Sequence, residues 1–236
     1  MLKRWLPLGL LVAGLIAFFA LGLDRYISFE TLKTHRAALL DFVGANPLGA
    51  VLLYGLAYVA VVAFSLPGGA VMTVAGGFLF GTALATAVVV VAATVGAALV
   101  FLAAKTALGD VLRNRAGPFL ARMEEGFRAN ALSYLLVLRL VPLFPFFIVN
   151  LVPAFLGVTL RVFVVGTLIG IVPGTFVYAS VGAGLGSVFD AGESFSARGV
   201  LTPEVVLALV GFAFLAMIPV LYRRFRSKES RGGSTT

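Results

Sequence analysis

The sequence predicts an all-α polytopic membrane protein: an inverted repeat of two re-entrant helical hairpins, each followed by a transmembrane helix, with flanking N- and C-terminal transmembrane helices. Three observations carry that expectation. The 236-residue chain is 61% apolar and only 12% charged, with a mean hydropathy of +1.08; soluble domains average about 45–50% apolar and about 25% charged, so too few charges are present to cover a water-facing surface. Two hydrophobic stretches are interrupted by breaker clusters, Ser65-Leu66-Pro67-Gly68-Gly69 and Pro142-Leu143-Phe144-Pro145. Each interruption is followed by the same plan of short apolar arm, glycine and long span: Gly81 lies 14 residues after Pro67, Gly157 lies 15 after Pro142, and the two glycines are 76 apart.

The first segment, Trp5 to Leu23, carries no charge between Lys3-Arg4 and Asp24-Arg25. It is long enough to cross a hydrocarbon core of about 30 Å. A cleaved signal peptide is the alternative, because Ala20-Leu21-Gly22 resembles a small-x-small cleavage site, but signal h-regions run only about 7–15 residues. Ser28 to Ala45 reads as a charged connector on the membrane surface, with Ser28 as N-cap before Glu30 and a stripe of Leu32, Leu39, Leu40 and Val43. His35, the only histidine, sits there among Lys33, Arg36 and Asp41 and reads as solvated rather than catalytic.

Pro47 to Phe64 is the first arm of the first hairpin and Ala70 to Phe80 the second. Between them Pro67 lacks a donor for the helical ladder, and each following glycine costs about 1 kcal/mol in a helix, so the chain breaks inside a hydrophobic stretch. Non-helical backbone at membrane depth survives only where protein or a wet cavity satisfies it, which makes a re-entrant hairpin the expectation. Thr82 to Ala104 is then a charge-free crossing. Lys105 to Asn130 collects Lys105, Asp110, Arg113, Arg115, Arg122, Glu124, Glu125 and Arg128, with Phe119, Leu120, Met123 and Phe127 at helical spacing. It is read as an interfacial amphipathic helix whose basic face, Lys105–Arg128, meets anionic lipid headgroups.

The second unit runs Ala131 to Val141, the second break, Phe146 to Leu156, Gly157, and a crossing from Val158 to Gly182 that Pro173-Gly174 should kink. Polar Ser187 to Thr202 leads into a last crossing, Val205 to Tyr222, and the basic tail Arg223-Arg224-Phe225-Arg226-Ser227-Lys228. The organisation is therefore 1–45 (N-terminal helix and connector), 46–186 (repeat core) and 187–236 (C-terminal helix and tail). With four crossings and an internal N-terminus, 12 Lys and Arg fall inside and 4 outside, as the positive-inside rule requires. Both termini are then cytoplasmic, and one crossing separates the hairpins, so they enter from opposite faces.

Composition also narrows the chemistry. The net charge of +8 and isoelectric point near 10.3 would fit a nucleic-acid binder, but the basic residues flank apolar runs and read as topological, so no nucleic-acid partner is expected. With no Cys and one His, no metal or cofactor is expected. Ser65 and Ser180 lie in apolar segments without a His or carboxylate beside them, so no catalytic residue is assigned and the chain is not read as an enzyme.

The candidate substrate-binding residues are Arg139, Asn150, Pro142 and Pro145. Arg139 follows ten uncharged residues and stands just before the second break. An arginine at the bilayer centre costs at least about 2.5–3.5 kcal/mol, so it faces a partner, a cavity or a phosphate, or it snorkels to the inner interface. Asn150 either satisfies carbonyls freed by the break or contacts substrate. The hairpin and hinge set is Pro67, Gly68, Gly69, Gly77, Gly81, Gly157, Gly170, Pro173 and Gly174. Its pairs Gly77–Gly81 and Gly170–Gly174, with Gly182–Gly186, have the small-x-x-x-small spacing of close helix packing, and Pro173-Gly174 is either a hinge or a static bend. Arg161 reads as an interface anchor.

Taken in order, Pro67-Gly68-Gly69, Gly76-Gly77-Phe78-Leu79-Phe80-Gly81, Arg139-Leu140-Val141-Pro142-Leu143-Phe144-Pro145, Asn150, Gly157, and Phe163-x3-Thr167-x2-Gly170-x2-Pro173-Gly174-Thr175 resemble the DedA superfamily, and more narrowly its VTT-domain branch, also called SNARE-associated Golgi proteins. The resemblance covers roughly Pro47 to Gly186. It implies two opposed re-entrant hairpins, a bacterial inner (plasma) membrane location, and the movement of phospholipids or polyprenyl phosphates between leaflets. It also implies that Arg139 matches an arginine required for function in bacterial members. The chain departs from that pattern at Pro145, where a second arginine is usual, and at Ala57 and Gly69, where acidic residues are usual; proton coupling then has no group to act through, and passive scrambling or another coupled substrate is implied instead. The expected function is lipid flippase- or scramblase-like translocation, the expected partners are membrane lipids, and a homo-oligomer is compatible with the sequence. A membrane-organising or partner-binding role, and a small-solute or ion transporter, are the alternatives.

Overall fold

A computed structural model describes residues 2–115, 130–140 and 145–185, with single positions at 210 and 217. Among the described residues every regular element is helical: α1 (Leu2–Ala20), a short 3-10 turn (Leu23–Tyr26), α2 (Phe29–Thr34), α3 (Arg36–Ala45), α4 (Pro47–Ala63), α5 (Gly69–Phe80), α6 (Thr82–Arg115), α7 (Ala131–Leu140), α8 (Phe146–Phe155), α9 (Leu160–Gly170) and α10 (Val172–Ala183). Thr82–Ala107 and Leu160–Ala183 are the described segments both long and apolar enough to span a membrane. At 1.5 Å per residue α5 covers about 18 Å and α8 about 15 Å, well short of a hydrocarbon core. Large apolar side chains also line outer faces: Leu48, Leu52 and Leu56 on one stripe of α4 are 73, 59 and 68% exposed, an arrangement suited to lipid rather than water.

The first break forms where the sequence placed it, for local reasons; the second falls between the end of α7 at Leu140 and Pro145, and residues 141–144 lie outside the described residues. At the end of α4 the Leu66 amide donates to Val61 O (2.8 Å) and the Ser65 amide to Val62 O (3.0 Å), a Schellman closure whose pivot normally needs glycine. Here Ser65 holds the pivot at φ 53°, a left-handed conformation strained for a residue with a side chain. Pro67 follows, and Gly68 (φ 108°) N-caps α5. At the far end of α8 the same closure recurs, with Gly157 at φ 69° and the Val158 amide donating to Pro153 O at 3.3 Å.

The helices of the two halves make corresponding contacts. Each hairpin's first arm packs on its own crossing, α4 on α6 and α7 on α9; each second arm packs on the crossing of the other unit, α5 on α10 and α8 on α6. Small residues permit these approaches. A Cβ at Gly77 would strike the Ala179 carbonyl, a Cβ at Gly182 would strike the Val74 carbonyl, and one at Gly96 would come within 2.8 Å of Val59 O. Around α6, Val89, Ala93, Ala97, Phe101 and Ala104 form a buried face against Tyr54, Tyr58, Leu135, Val149 and Phe163, and the Phe101 and Phe163 rings stack at 4.4 Å.

The structure refines the sequence reading at four points. The apolar span of the first crossing is Thr82–Ala107, but its helix, α6, continues into the charged stretch as far as Arg115. The second crossing, Leu160–Ala183, is broken for the single residue Ile171 (φ −87°, ψ −13°), two residues before Pro173, where the kink is expected; Pro173 falls early in α10, where its missing donor is not needed. The connector is two helices meeting at His35, with Ser28 capping α2 as expected: the Thr31 amide donates to Ser28 Oγ at 3.1 Å. Part of its apolar stripe is docked on protein, Leu32 packing with Val74, Leu185 and the partly buried Leu39, while Leu40 is 43% exposed. Finally, the pairs Gly77–Gly81 and Gly170–Gly174 are not used as pairs, since a Cβ at Gly81 or Gly174 would meet nothing within 4 Å; Gly81, at φ 76°, ends α5. Pro142, Gly186, the Phe119–Phe127 stripe, the crossing Val205 to Tyr222 and the basic tail lie outside the described residues.

Candidate functional site

Arg139 sits in the last turn of α7, where a helix C-terminus favours a cation. Its stem fits because α9 presents glycine: a Cβ at Gly170 would lie 2.7 Å from Arg139 Cβ, and one turn earlier a Cβ at Gly166 would lie 2.6 Å from Leu135 Cδ2. From that seat Nη2 donates to Asn150 Oδ1 on α8 (2.7 Å) and to Thr167 Oγ1 on α9 (2.9 Å). Asn150 and Thr167 are fully buried. Because a guanidinium only donates, Asn150 must turn its oxygen toward it, which leaves Nδ2 facing away. Two rings flank the guanidinium, Phe146 with its centroid 4.8 Å from Cζ and Phe163 at 5.5 Å.

What the cluster lacks matters as much. Among the described residues no carboxylate pairs with Arg139, and its Nε and Nη1, together with Asn150 Nδ2, are shielded atoms without a hydrogen-bond partner. Every orphan is a donor. An unsatisfied buried polar group costs about 1–3 kcal/mol, so the site is short of acceptors and of negative charge.

Arg139 lines a cavity of about 770 Å³ on which both breaks converge. Ser65, Leu66, Pro67, Gly68 and Gly69 of the first break form one wall; Leu140, Phe146 and Phe147 beside the second form another; Ile171, Gly174 and Thr175 come from the interruption between α9 and α10, and Leu15 and Phe19 of α1 close a side. The first break is held rigidly there: the Tyr54 hydroxyl donates to Met72 O (2.7 Å), Thr73 Oγ1 donates to Gly69 O (2.8 Å), and the Tyr58 hydroxyl lies 2.9 Å from Thr73 Oγ1. Gly68 is backed by Ile27, which a Cβ there would meet at 2.5 Å.

The structure thus brings Arg139 and Asn150 into contact and places Pro67, Gly68, Gly69, Gly170 and Gly174 at or beside the same cavity. Pro145 caps α8 and is exposed, off the cavity wall, while Gly77 and Gly157 serve packing and a turn. Thr167, Phe146 and Phe163 were not singled out as site residues from sequence. The available clue was Phe163, Thr167 and Gly170 at helical spacing, the residues with which α9 meets Arg139. Ala57 points outward and Gly69 lies at the first break, so no acid faces the cavity from the two positions where acids are usual. Among the described residues no group of His, Asp or Glu is arranged to hold a metal.

The VTT domain family matches residues 66–184. The chain is 26% identical over 200 residues to a transmembrane protein 41 homolog of Dictyostelium discoideum, covering 84% of this chain and 58% of that one. It is 27% identical over 180 residues to transmembrane protein 41B of Xenopus tropicalis (75% and 62% covered) and 26% identical over 175 residues to the Homo sapiens protein of that name (72% and 58%). It spans about six-tenths of the length of these curated relatives. No solved structure matches. With half of its length matched by the family, the chain belongs to the VTT domain family of the DedA superfamily and is a multi-pass membrane protein.

Proposed function

We propose that the protein carries lipids, phospholipids or polyprenyl phosphates, between the leaflets of a bacterial inner membrane, with both termini in the cytoplasm and the two hairpins re-entrant from opposite faces. The observation that carries this reading is a cation with no counter-ion among the described residues, lining a cavity that lies between the first break and the facing ends of α7 and α8. A phosphate is the complementary group, being anionic and rich in acceptors. The apolar walls suit acyl chains, and the broken helix ends supply backbone groups that tolerate a polar headgroup at membrane depth. No acid among the described residues lines the cavity, which favours passive transfer over proton-coupled transfer. The basic residues from Lys105 to Arg128 gather anionic lipid at the cytoplasmic face, and a second copy of the chain is compatible with the fold.

The test is reconstitution into phosphatidylcholine vesicles carrying a trace of acyl-labelled anionic phospholipid, with a membrane-impermeant quencher and no ion gradient. Wild type should expose the inner-leaflet label rapidly, and Arg139→Gln at equal reconstitution should not. No acceleration by wild type would overturn the proposal and favour the membrane-organising role.

A further inference from the structure

We infer that the cavity selects lipids whose headgroup carries one net negative charge, a phosphodiester of the phosphatidylglycerol type, over doubly charged phosphate monoesters and over zwitterions. This rests on the lipid-translocation reading and narrows it. The basis is a charge inventory. Arg139 is the one charged side chain among the described residues lining the cavity, and the other titratable ones there, Tyr58 and Tyr178, are neutral. The groups that face the guanidinium are Asn150 and Phe146 from α8 and Phe163, Thr167 and Gly170 from α9, none of them titratable. Residues 141–144, between α7 and α8, are Val-Pro-Leu-Phe and bring no charge by sequence.

A single negative charge therefore makes the occupied cavity neutral. A dianion leaves it at minus one and a zwitterion at plus one, and an uncompensated charge in apolar surroundings is strongly penalised. Donor count agrees. Both Nη2 hydrogens are held by Asn150 and Thr167, which leaves the N–H groups of Arg139 Nε and Nη1, shielded here from water, for the two non-ester oxygens of a phosphodiester. Among the described residues lining the cavity no second cation is at hand for a monoester's extra charge.

The experiment compares acyl-labelled phosphatidylglycerol, phosphatidic acid and phosphatidylethanolamine as trace lipids in phosphatidylcholine vesicles at pH 5 and pH 8. A phosphate monoester loses its second proton near pH 6. The expected result is phosphatidylglycerol transfer of equal rate at both pH values. Phosphatidic acid should match it at pH 5 and fall at least about tenfold at pH 8, and phosphatidylethanolamine should be at least about tenfold slower throughout. Arg139→Lys, which keeps the charge, should keep that order. Phosphatidic acid at pH 8, or phosphatidylethanolamine, moving as fast as phosphatidylglycerol would overturn the selectivity while leaving lipid translocation standing. Failure of every lipid to move would instead remove the translocation reading itself.

Discussion

Replacing Asn150 by aspartate gives Arg139 the counter-ion it lacks, with almost no change in shape. The accepting oxygen is already 2.7 Å from Nη2 in a fully buried residue, so the new carboxylate needs no rearrangement. Burying a fresh carboxylate ordinarily costs several kcal/mol. Here the partner cation is already desolvated and unpaired, and at about 4 Å and an effective dielectric near 20 the attraction is about 4 kcal/mol. The aspartate also removes the orphan Nδ2 donor, which is itself worth about 1–3 kcal/mol. Asn150→Asp should therefore raise stability by about 1–3 kcal/mol, read as a higher unfolding temperature in detergent. In vesicles it should slow anionic lipid transfer at least about tenfold, because the headgroup now meets a neutral pair. Asn150→Leu, which leaves Nη2 with one acceptor instead of two, should lose about 1–3 kcal/mol of stability. An Asn150→Asp protein that is more stable yet transfers anionic lipid at the wild-type rate would refute the role given to the free cation.

Gly182→Ala drives a methyl group onto the Val74 carbonyl, and Gly77→Ala onto that of Ala179; each should cost about 1–3 kcal/mol in thermal unfolding, the pair less than the sum because both separate α5 from α10. The Phe146 ring, 40% exposed, competes with an anion for the guanidinium, so Phe146→Leu should speed phosphatidylglycerol transfer by about 2–10-fold and Phe146→Trp slow it, since indole is the stronger cation–π partner. Ser28→Ala removes the cap of α2 and should cost about 0.5–2 kcal/mol, seen as faster amide exchange at residues 29–34 with transfer unchanged.

Much of the fold was legible because its punctuation is local. Pro67 with Gly68 separates α4 from α5, Gly81 ends α5, Pro145 opens α8 and Gly157 closes it, and Ser28 caps by its own side chain. The tertiary exchange of arms was not legible, because Gly77 and Gly182 reveal that they pack only once their partners, the Ala179 and Val74 carbonyls, are known. Nor was the length of α6, since charges at Lys105 and beyond mark where water begins and not where a helix stops. Arg139 stood out by its isolation in an apolar stretch, and Asn150 by polarity. Thr167 did not, because a threonine in a transmembrane helix usually bonds its own backbone, as Thr94 does to Val90 O. That both breaks share one cavity depends on packing between distant segments, which no periodicity records.

The measurement that tests the central claim most directly is water access to the convergence of the two breaks in a lipid membrane. The chain has no cysteine, so single cysteines can be read without background. Ser65 is nearly isosteric with cysteine, and a Cβ at Gly174 meets nothing; both positions line the cavity, while Leu52 and Val91 lie exposed on the outer apolar surface. A charged thiol reagent should modify Ser65→Cys and Gly174→Cys in vesicles and leave Leu52→Cys and Val91→Cys untouched. If all four stay unmodified, the cavity is a dry void and no headgroup passes through it.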